Sequence, residues 1–523
     1  MLINKCASIA HSCKCSIAVA ETKAQGMTYV IGIDGGTESL RAHVFDLSGR
    51  SRGVGKGAYA TAFPQPGQAE QNPDDWWHAA GVAVREAMAA AGVTPDQVSG
   101  LACDTTSCTV VALDAEGRPL RPCLLWMDVR AHHEAAEVAA CGDPALRLNG
   151  GGAGPVSPEW MIPKALWIKR HQPELWARAA MLGEYQDYLT LRLTGRWVAS
   201  LNNVTMRWHY QTDHGGWPLS LLDRLGLSHL KDRWPSEIVA PGQVIGPLTD
   251  EAARHLGLRA GLPVVQGGAD AFIGMIGLGG TRPGDLALIT GSSHLQLGVA
   301  ERSVHAAGVW GTYMDCVYPG LPIIEGGQTS TGSVIAWFKR NFAEHLDFDT
   351  LNVQAAALPP GAEGLLAVDH FQGNRTPHTD ALARGAITGL SLKHTPAHVY
   401  RALVESVCFG TRAIVEAFGS AFTARRIVVA GGVTRSPFWL QVHADTLGLP
   451  LELTEEPEAP ALGSAILAAV GAGYFPTIDA ACAAMVRTAR RVEPDMDAHA
   501  AYGPIYDRYR AAYAALKSLR APE

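Results

Sequence analysis

The sequence predicts an α/β protein built from two domains with buried central strands. Apolar, β-branched runs alternate with helical segments along the chain, a pattern typical of α/β folds. Two strand–turn–strand segments with glycine-rich tips occur, one early in each half, at residues 29–46 and around residues 288–294. The chain has 523 residues, which at about 150 residues per domain leaves room for two to four domains.

The first half opens with a strand, a turn and a second strand. Tyr29–Asp34 is apolar and β-branched, Gly35 and Gly36 form a tight turn, and Leu40–Asp46 returns as a strand. Asn72 then caps a helix, with proline at its first position and carboxylates in its first turn. Further strands are predicted at residues 98–103 and 109–113, and residues 155–231 are richer in tryptophan and helix formers.

The second half repeats the pattern. We predict a boundary within residues 258–266, giving domains at 27–262 and 263–523. Arg426–Ala430 is predicted as a buried strand that leads into a helix capped by Ser436 and closed by Gly448. One face of a terminal helix carries Tyr502, Tyr506, Tyr509 and Tyr513, which indicates packing rather than a cofactor site.

Composition excludes several classes of protein. Lysine and arginine total 43 against 50 aspartates and glutamates, a net charge of −7, so no basic surface for nucleic acid is expected. No run approaches the roughly 18 apolar residues that a membrane helix needs. Hydrophobic residues make up 47% of the chain, enough for sizeable cores. The composition indicates a large globular enzyme that binds small molecules, and it leaves open whether the protein is a homodimer.

The cysteines and the first residues bear on location. Ten cysteines are scattered without a C-x-x-C pair, which favours a reducing compartment and a cytoplasmic location. Residues 1–26 lack the continuous apolar region of a secretory signal. We expect a disordered leader or a start placed too early, with Met27 as the working start. A transit peptide and a metal-binding arm remain alternatives.

Both glycine-rich hairpins suit phosphate binding. Their tips, Gly35–Ser39 and Gly291–Ser293, combine glycine with small hydroxyl residues, so backbone N–H groups can approach a phosphate without a β-carbon in the way. Asp34 ends the first strand and suits Mg²⁺ through its water shell. Arg41 follows the tip and can add positive charge. One such hairpin is an ordinary turn more often than not, but a pair is stronger evidence.

Two later segments add chemistry. Asp270 follows the strand at Val264, where α/β proteins place their reactive groups. Gly431 and Gly432 precede a helix whose start can hold a nucleotide against backbone donors. The chain has no G-x-x-x-x-G-K-[ST] motif and no G-x-G-x-x-G between a strand and a helix, so P-loop and Rossmann sites are not expected.

These residues together resemble the FGGY carbohydrate kinases, within the actin-like superfamily of sugar kinases and chaperone ATPases. The resemblance runs from Tyr29 to about Tyr513 and rests on the segments 34–41, 70–77, 126–130, 268–270, 290–293, 385–405 and 430–463. It implies two actin-like, ribonuclease H-like ATPase domains with an interdomain cleft. The family's lysine signature is only partly met, since Met161 stands where proline, serine or threonine is usual.

The resemblance also implies roles for individual residues. Asp270 is the expected catalytic base, and Asp34 and Asp270 are the expected ligands of Mg²⁺. The expected substrate-binding residues are Asp104, Thr105, Asp128, Arg130, Lys164, Glu325 and Gln328. The expected ATP-binding residues are Gly35, Gly36, Thr37, Glu38, Ser39, Arg41, Thr290, Gly291, Ser292, Gly431, Gly432 and Ser436.

The substrate is implied less sharply. Residues 157–164, 324–329 and 371–377 are closer to ribulokinase-type pentulose kinases than to glycerol kinases, which implies phosphorylation of D-ribulose to D-ribulose 5-phosphate. L-ribulose, xylulose and erythritol are alternatives, as is a non-catalytic actin-like regulator that binds ATP. One or two hydroxyl partners decide such specificity, and no motif fixes them.

Some of these residues also have plainer interpretations. Asp104 could simply cap a turn, and Lys164 and Glu325 could form a structural ion pair. His132 and His133 are expected in solvent rather than on a metal. Cys103 and Cys108 are expected to pack rather than react.

Overall fold

The structure is a computed structural model that describes residues 28–152 and 154–520. The leader predicted at residues 1–26 and the start predicted at Met27 lie outside the described residues. The strands of the described part are β1 Tyr29–Gly35, β2 Ser39–Asp46, β3 Ser51–Ala58, β4 Glu70–Gln71, β5 Val98–Thr105, β6 Val110–Leu113, β7 Cys123–Leu124, β8 Met181–Glu184, β9 Val198–Ser200, β10 Glu237–Val239, β11 Val244–Pro247, β12 Pro263–Val265, β13 Asp285–Thr290, β14 His294–Val299, β15 Gly311–Met314, β16 Pro322–Gln328, β17 Leu366–Val368, β18 Ala386–Thr388, β19 Arg426–Gly431, β20 Leu451–Thr454 and β21 Thr488–Val492.

Helices alternate with these strands, as the sequence pattern predicts. The α-helices of the described part are α1 Pro73–Ala91, α2 His132–Ala140, α3 Met161–His171, α4 Pro173–Arg178, α5 Tyr185–Thr194, α6 Leu201–Arg207, α7 Leu219–Arg224, α8 Asp250–Leu256, α9 Asp270–Gly277, α10 Gly332–Phe342, α11 Phe348–Ala356, α12 Pro396–Ala417, α13 Pro437–Leu447, α14 Ala459–Gly471, α15 Ile478–Met485 and α16 Met496–Ser518.

Two large sheets are built on the same plan. In the first, with strand order β11-β12-β5-β1-β2-β3, β1 pairs antiparallel with β2 and parallel with β5. In the second, with order β15-β16-β14-β13-β19-β20-β21, β13 pairs antiparallel with β14 and parallel with β19. The two predicted hairpins are therefore equivalent parts of two related domains.

A pair of helices joins the two sheets. Helix α14 comes from the second half of the chain but packs directly on β1 of the first sheet. A β-carbon on Gly32 would lie 1.9 Å from the carbonyl oxygen of Ala461, so only glycine permits this approach. Gly463 allows the same closeness between α14 and Ile273 of α9. The core between the domains is thus fixed by backbone-to-backbone packing.

The predicted domain boundary differs from the membership of the sheets. Strand β12 pairs parallel with β5, through Val264 and Leu101, and so belongs to the first sheet. The first sheet therefore continues past residue 262, and the second begins only at Asp285. The sequence pattern marks the start of β12 correctly but cannot show which sheet the strand joins.

Several local predictions are confirmed. The side chain of Asn72 accepts a hydrogen bond at the start of α1, and Ser436 does the same at the start of α13. Helix α16 buries Tyr502, Tyr506 and Tyr509 in the core of the second domain. In the described part of the chain, no helix is long and apolar enough to cross a membrane.

Candidate active site

Strands β1 and β5 bring two carboxylates side by side. Asp34 is opposite Asp104 in the parallel register. Asp34 is nearly buried, and burial raises its pKa. Asp104 is fully buried, and burial together with the nearby Asp34 raises its pKa well above the usual range. Ser464 of α14 donates a hydrogen bond of 2.7 Å to Asp104.

Asp104 uses one of its two oxygens in the contact with helix α14. Oδ2 accepts the hydrogen bond from Ser464, while Oδ1 is buried without a hydrogen-bond partner among the described residues. The neighbouring Thr105 is also fully buried, and its backbone N–H donates to Gly268. The contact of both residues with substrate stays a prediction.

Arg41 lies between two carboxylates of different domains. It stands opposite Asp34 in the β1–β2 hairpin, and its Nη2 is 3.1 Å from Asp34 Oδ2. Its Nη1 is 2.7 Å from Oε2 of Glu458, at the start of α14. The predicted cation beside the first hairpin is present, and it is paired on both sides.

Asp270 is the first residue of helix α9 and is only partly buried. The start of α9 is held by helix α6, because Asn202 accepts a hydrogen bond of 2.9 Å from the N–H of Ala269. Burial, and next the charge of Asp34, raise the pKa of Asp270 to about 7. The effect of Asp34 on this pKa indicates that the two carboxylates lie near one another. A carboxylate with this pKa can accept a proton near neutral pH.

The tips of both hairpins are open. In the first, Gly36, Thr37 and Ser39 are partly exposed and Glu38 is exposed. In the second, Gly291 and Ser292 are exposed, while Thr290 is buried and donates to the carbonyl of Ala430 at 2.6 Å. The N–H groups of Gly36 and Gly291 already donate to the carbonyls of Ser39 and Ser293 within their own hairpins. The other exposed or partly exposed residues of the tips carry further N–H groups and hydroxyls, whereas Gly35 and Thr290 are buried beneath the tips.

Strand β19 ends in the predicted glycine turn beside β13. Gly431 has φ of 91°, and a β-carbon there would be 1.9 Å from the carbonyl oxygen of Thr290. Gly432 is exposed with open space around it. The Ser436 hydroxyl caps α13 and also donates to Asn352 at 3.1 Å. Ser436 therefore shapes this turn, and a nucleotide would meet the glycines.

A buried ion pair joins the two domains. Arg207, the last residue of α6, makes two hydrogen bonds of 2.9 and 3.1 Å to Glu325 on β16. The hydroxyl of Tyr313 donates to the same carboxylate at 2.7 Å. Although burial alone would lower the pKa of Arg207, Glu325 raises it well above the usual range. Helix α6 also carries Asn202, so this pair and Asp270 share one support.

Lys164 does not pair with Glu325. Its ammonium group donates to the carbonyl oxygens of Cys108, Leu124 and Leu125, at 2.7, 3.3 and 2.5 Å. The residue is fully buried, and burial lowers its pKa. All three donors of the ammonium group are used in these contacts, and the contact of Lys164 with substrate stays a prediction.

Gln328 is likewise committed to the protein. Its amide donates to Asp369 and to the carbonyl of Val407, both at 2.9 Å. Its carbonyl accepts from Gln296 and Thr411 at 3.0 and 2.9 Å. The side chain thus belongs to the polar core of the second domain, and its contact with substrate stays a prediction.

In the segment Trp126–Arg130, one residue, Trp126, contacts the first hairpin and so borders the predicted site. Asp128 is fully buried and accepts from the N–H of Ala69 at 2.8 Å and from Arg130. Arg130 pairs with Asp128 and Glu70 through Nε and Nη2, and the contact of Asp128 and Arg130 with substrate stays a prediction. Trp126 is 38% exposed, and its indole donates to the hydroxyl of Thr37 at 3.0 Å. It therefore connects this segment with the first hairpin.

Two cysteines were predicted to pack and two histidines to lie in solvent, and the structure agrees. Cys103 and Cys108 are buried, and burial raises the pKa of each thiol to about 12, which agrees with packing. His132 and His133 are exposed at the start of α2.

The carboxylates suit a divalent cation only with help from other ligands. Among the described residues, no group of three or more histidine, cysteine, aspartate or glutamate side chains is arranged to hold a metal ion. Mg²⁺ is commonly held by one or two carboxylates together with water and substrate phosphates. Asp34 and Asp270 fit that requirement, since the charge of Asp34 raises the pKa of Asp270 and a cation would offset their repulsion.

Two related sheets, each with a glycine-tipped hairpin, define a two-domain, actin-like α/β protein, and comparison with known proteins identifies the family. The models of the N-terminal and C-terminal domains of the FGGY family of carbohydrate kinases match residues 29–277 and 286–472. The chain belongs to this family. It is therefore a kinase that phosphorylates a sugar with ATP, which confirms the predicted class of enzyme.

Relatives match along nearly their whole length. The chain is 31% identical to an FGGY carbohydrate kinase domain-containing protein of Xenopus laevis, over 92% of this chain and 95% of that protein. It is 32% identical to a ribulokinase of Geobacillus thermodenitrificans, over 86% of each chain. Its structure is similar to the crystal structure of xylulose kinase from Rhodospirillum rubrum, with a TM-score of 0.85 and 30% identity over 94% of this chain and 99% of that one. The predicted two-domain fold is confirmed.

Proposed function

We propose that this kinase transfers the γ-phosphoryl group of ATP to a hydroxyl group of a small ketose, with D-ribulose as the favoured substrate. The observation that carries the proposal is Asp270, a carboxylate at the cleft whose pKa is raised to about 7. Relatives named ribulokinase and xylulose kinase support a pentulose. L-ribulose, xylulose and erythritol remain the competing substrates.

Asp270 is assigned the attacking hydroxyl. The carboxylate accepts the hydroxyl proton as the oxygen forms its bond to the γ-phosphorus, while the bond from that phosphorus to the β,γ-bridging oxygen breaks and ADP leaves. A loose transition state for phosphoryl transfer needs little base strength early, so a carboxylate suffices. The hydrogen bond from the Ala269 N–H to Asn202 holds Asp270 in place at the start of α9.

The two hairpins are assigned the phosphates. Their exposed N–H groups and hydroxyls, together with Arg41, would stabilise the negative charge that spreads over the transferred group. Mg²⁺, held by Asp34 and Asp270, would neutralise phosphate charge. Gly431 and Gly432 would hold the nucleotide from the second domain.

We assign the pair Arg207–Glu325 to the sugar site, at the end of that site away from the hairpins. The pair carries balanced charge, comes one residue from each domain, and shares helix α6 with Asn202, which holds the N–H just before Asp270. A neutral polyol could exchange hydrogen bonds with both partners when the domains close, and closure would exclude water as a competing acceptor. Serial replacement at this pair should therefore change the choice of sugar.

The experiment that tests the proposal is a panel of sugars with coupled detection of ADP. D-ribulose, L-ribulose, D-xylulose, L-xylulose, erythritol and glycerol would each be supplied with Mg·ATP. We expect the highest kcat/KM with D-ribulose. A clear preference for another sugar would replace D-ribulose while keeping the mechanism.

A further inference from the structure

We propose that Glu458 neutralises Arg41 and thereby makes nucleotide binding depend on an accompanying divalent cation. This inference rests on the proposed function, because it takes the region of Arg41 as the phosphate site. Glu458 is not among the predicted ligands. Its expected effect is to weaken the binding of a nucleotide that carries no divalent cation.

The geometry places one cation between two anions. Arg41 contacts Asp34 with Nη2 at 3.1 Å and Glu458 with Nη1 at 2.7 Å. Asp34 is almost buried, while the side chains of Arg41 and Glu458 are 37% and 36% exposed. The guanidinium therefore reaches the cleft, but both of its terminal nitrogens are engaged by carboxylates.

Glu458 is held in place relative to Arg41. It immediately precedes α14, and its N–H donates to the carboxylate of Glu456 at 3.1 Å. Helix α14 is itself locked onto β1, because Gly32 leaves no space between them. The pairing is therefore set by the fold rather than by chance contact of two flexible side chains, and domain closure need not break it.

The charges give this arrangement a consequence. Asp34, Arg41 and Glu458 together carry a net charge of −1, so a bare nucleotide phosphate meets net repulsion despite the arginine. A nucleotide that carries a divalent cation brings its own positive charge and can neutralise Asp34. Without Glu458, the two remaining groups, Asp34 and Arg41, have no net charge. One edge of the guanidinium is then free to donate to a phosphate.

The test measures ADP binding by titration calorimetry, in EDTA and in excess Mg²⁺. We expect Glu458→Gln to tighten binding of metal-free ADP by about tenfold, as for removal of a like charge at an interface, and binding of Mg·ADP by less than about threefold. The matched control is Glu455→Gln, which removes the same charge from the same loop but from a residue paired with Arg487 at 2.7 Å. This control should leave both affinities within about twofold.

A second pair of variants asks whether Glu458 acts through Arg41. In an Arg41→Gln background, Glu458→Gln should give no further gain for metal-free ADP. An unchanged or weaker affinity of the single variant would overturn the inference, as would an equal gain from Glu455→Gln or a gain that persists without Arg41. If the parent binds no ADP even with Mg²⁺, the proposed function fails and this inference falls with it.

Discussion

Replacement of Asp270 by asparagine removes a proton acceptor while keeping the shape of the side chain. The amide can still meet one hydroxyl but cannot take its proton. General-base assistance is typically worth about 10²–10⁴ in rate, or about 2.7–5.5 kcal/mol, so kcat should fall by that factor. Steady-state turnover measured by coupled ADP release gives this number directly.

The raised pKa supplies a second signature. Because Asp270 must be ionised to accept a proton and its pKa is about 7, kcat/KM of the parent should be low in acid and rise to a plateau above that pH. Asp270→Asn should abolish this acidic limb. Its thermal midpoint should not fall, since the change removes repulsion with Asp34.

Two measurements keep this prediction sharp. The affinity of Asp270→Asn for metal-free ADP should barely change, because the hairpins and the turn at Gly431 hold the nucleotide. Asp46→Asn is the matched control, since it removes a carboxylate that pairs with Arg52 at the far end of β2. A kcat for Asp270→Asn within about threefold of the parent, far short of the general-base range, would refute the assignment.

Three further changes probe the metal site, the packing and the leader. Asp34→Asn should severely weaken use of Mg·ATP and, because Asp34 raises the pKa of Asp270, move the acidic limb of kcat/KM to lower pH; an unmoved limb in the pH–rate profile would contradict the coupling. Gly32→Ala should lower the free energy of unfolding in urea by about 1–3 kcal/mol or more, since its β-carbon meets a carbonyl of α14, whereas Gly432→Ala, with open space around it, should leave stability unchanged. Deletion of residues 1–26 should change neither activity nor thermal midpoint, and a large drop in either would show that this segment packs on the body.

Local features of the fold could be predicted from the sequence because their causes are local. Apolar strand patterns and glycine turns predict the hairpins at Asp34 and Thr290, and the capping serine predicts the helix after Ser436. The place of β12 in the first sheet could not be predicted, since strand pairing across the chain leaves no local signal. The same holds for α14, which returns from the second half to cover β1.

The sequence could not show the long-range contacts of the buried site residues. Asp104 ends a strand as a ligand would, and the hydrogen bond that it accepts from Ser464, 360 residues later, leaves no local signal. Lys164 sits in a family-like segment, yet its ammonium group binds three carbonyls. Arg207 and Glu458 were missed because their partners lie 118 and 417 residues away and no motif marks them.

The most direct test of the central assignment is whether ADP release requires a sugar. The parent protein would be incubated with Mg·ATP alone and then with each pentulose, with ADP and the phosphorylated sugar both quantified. We expect little ADP without acceptor and, with D-ribulose, one sugar phosphate formed for each ADP. Release of ADP at the same rate with and without every polyol, or ADP formed without any sugar phosphate, would contradict the assignment.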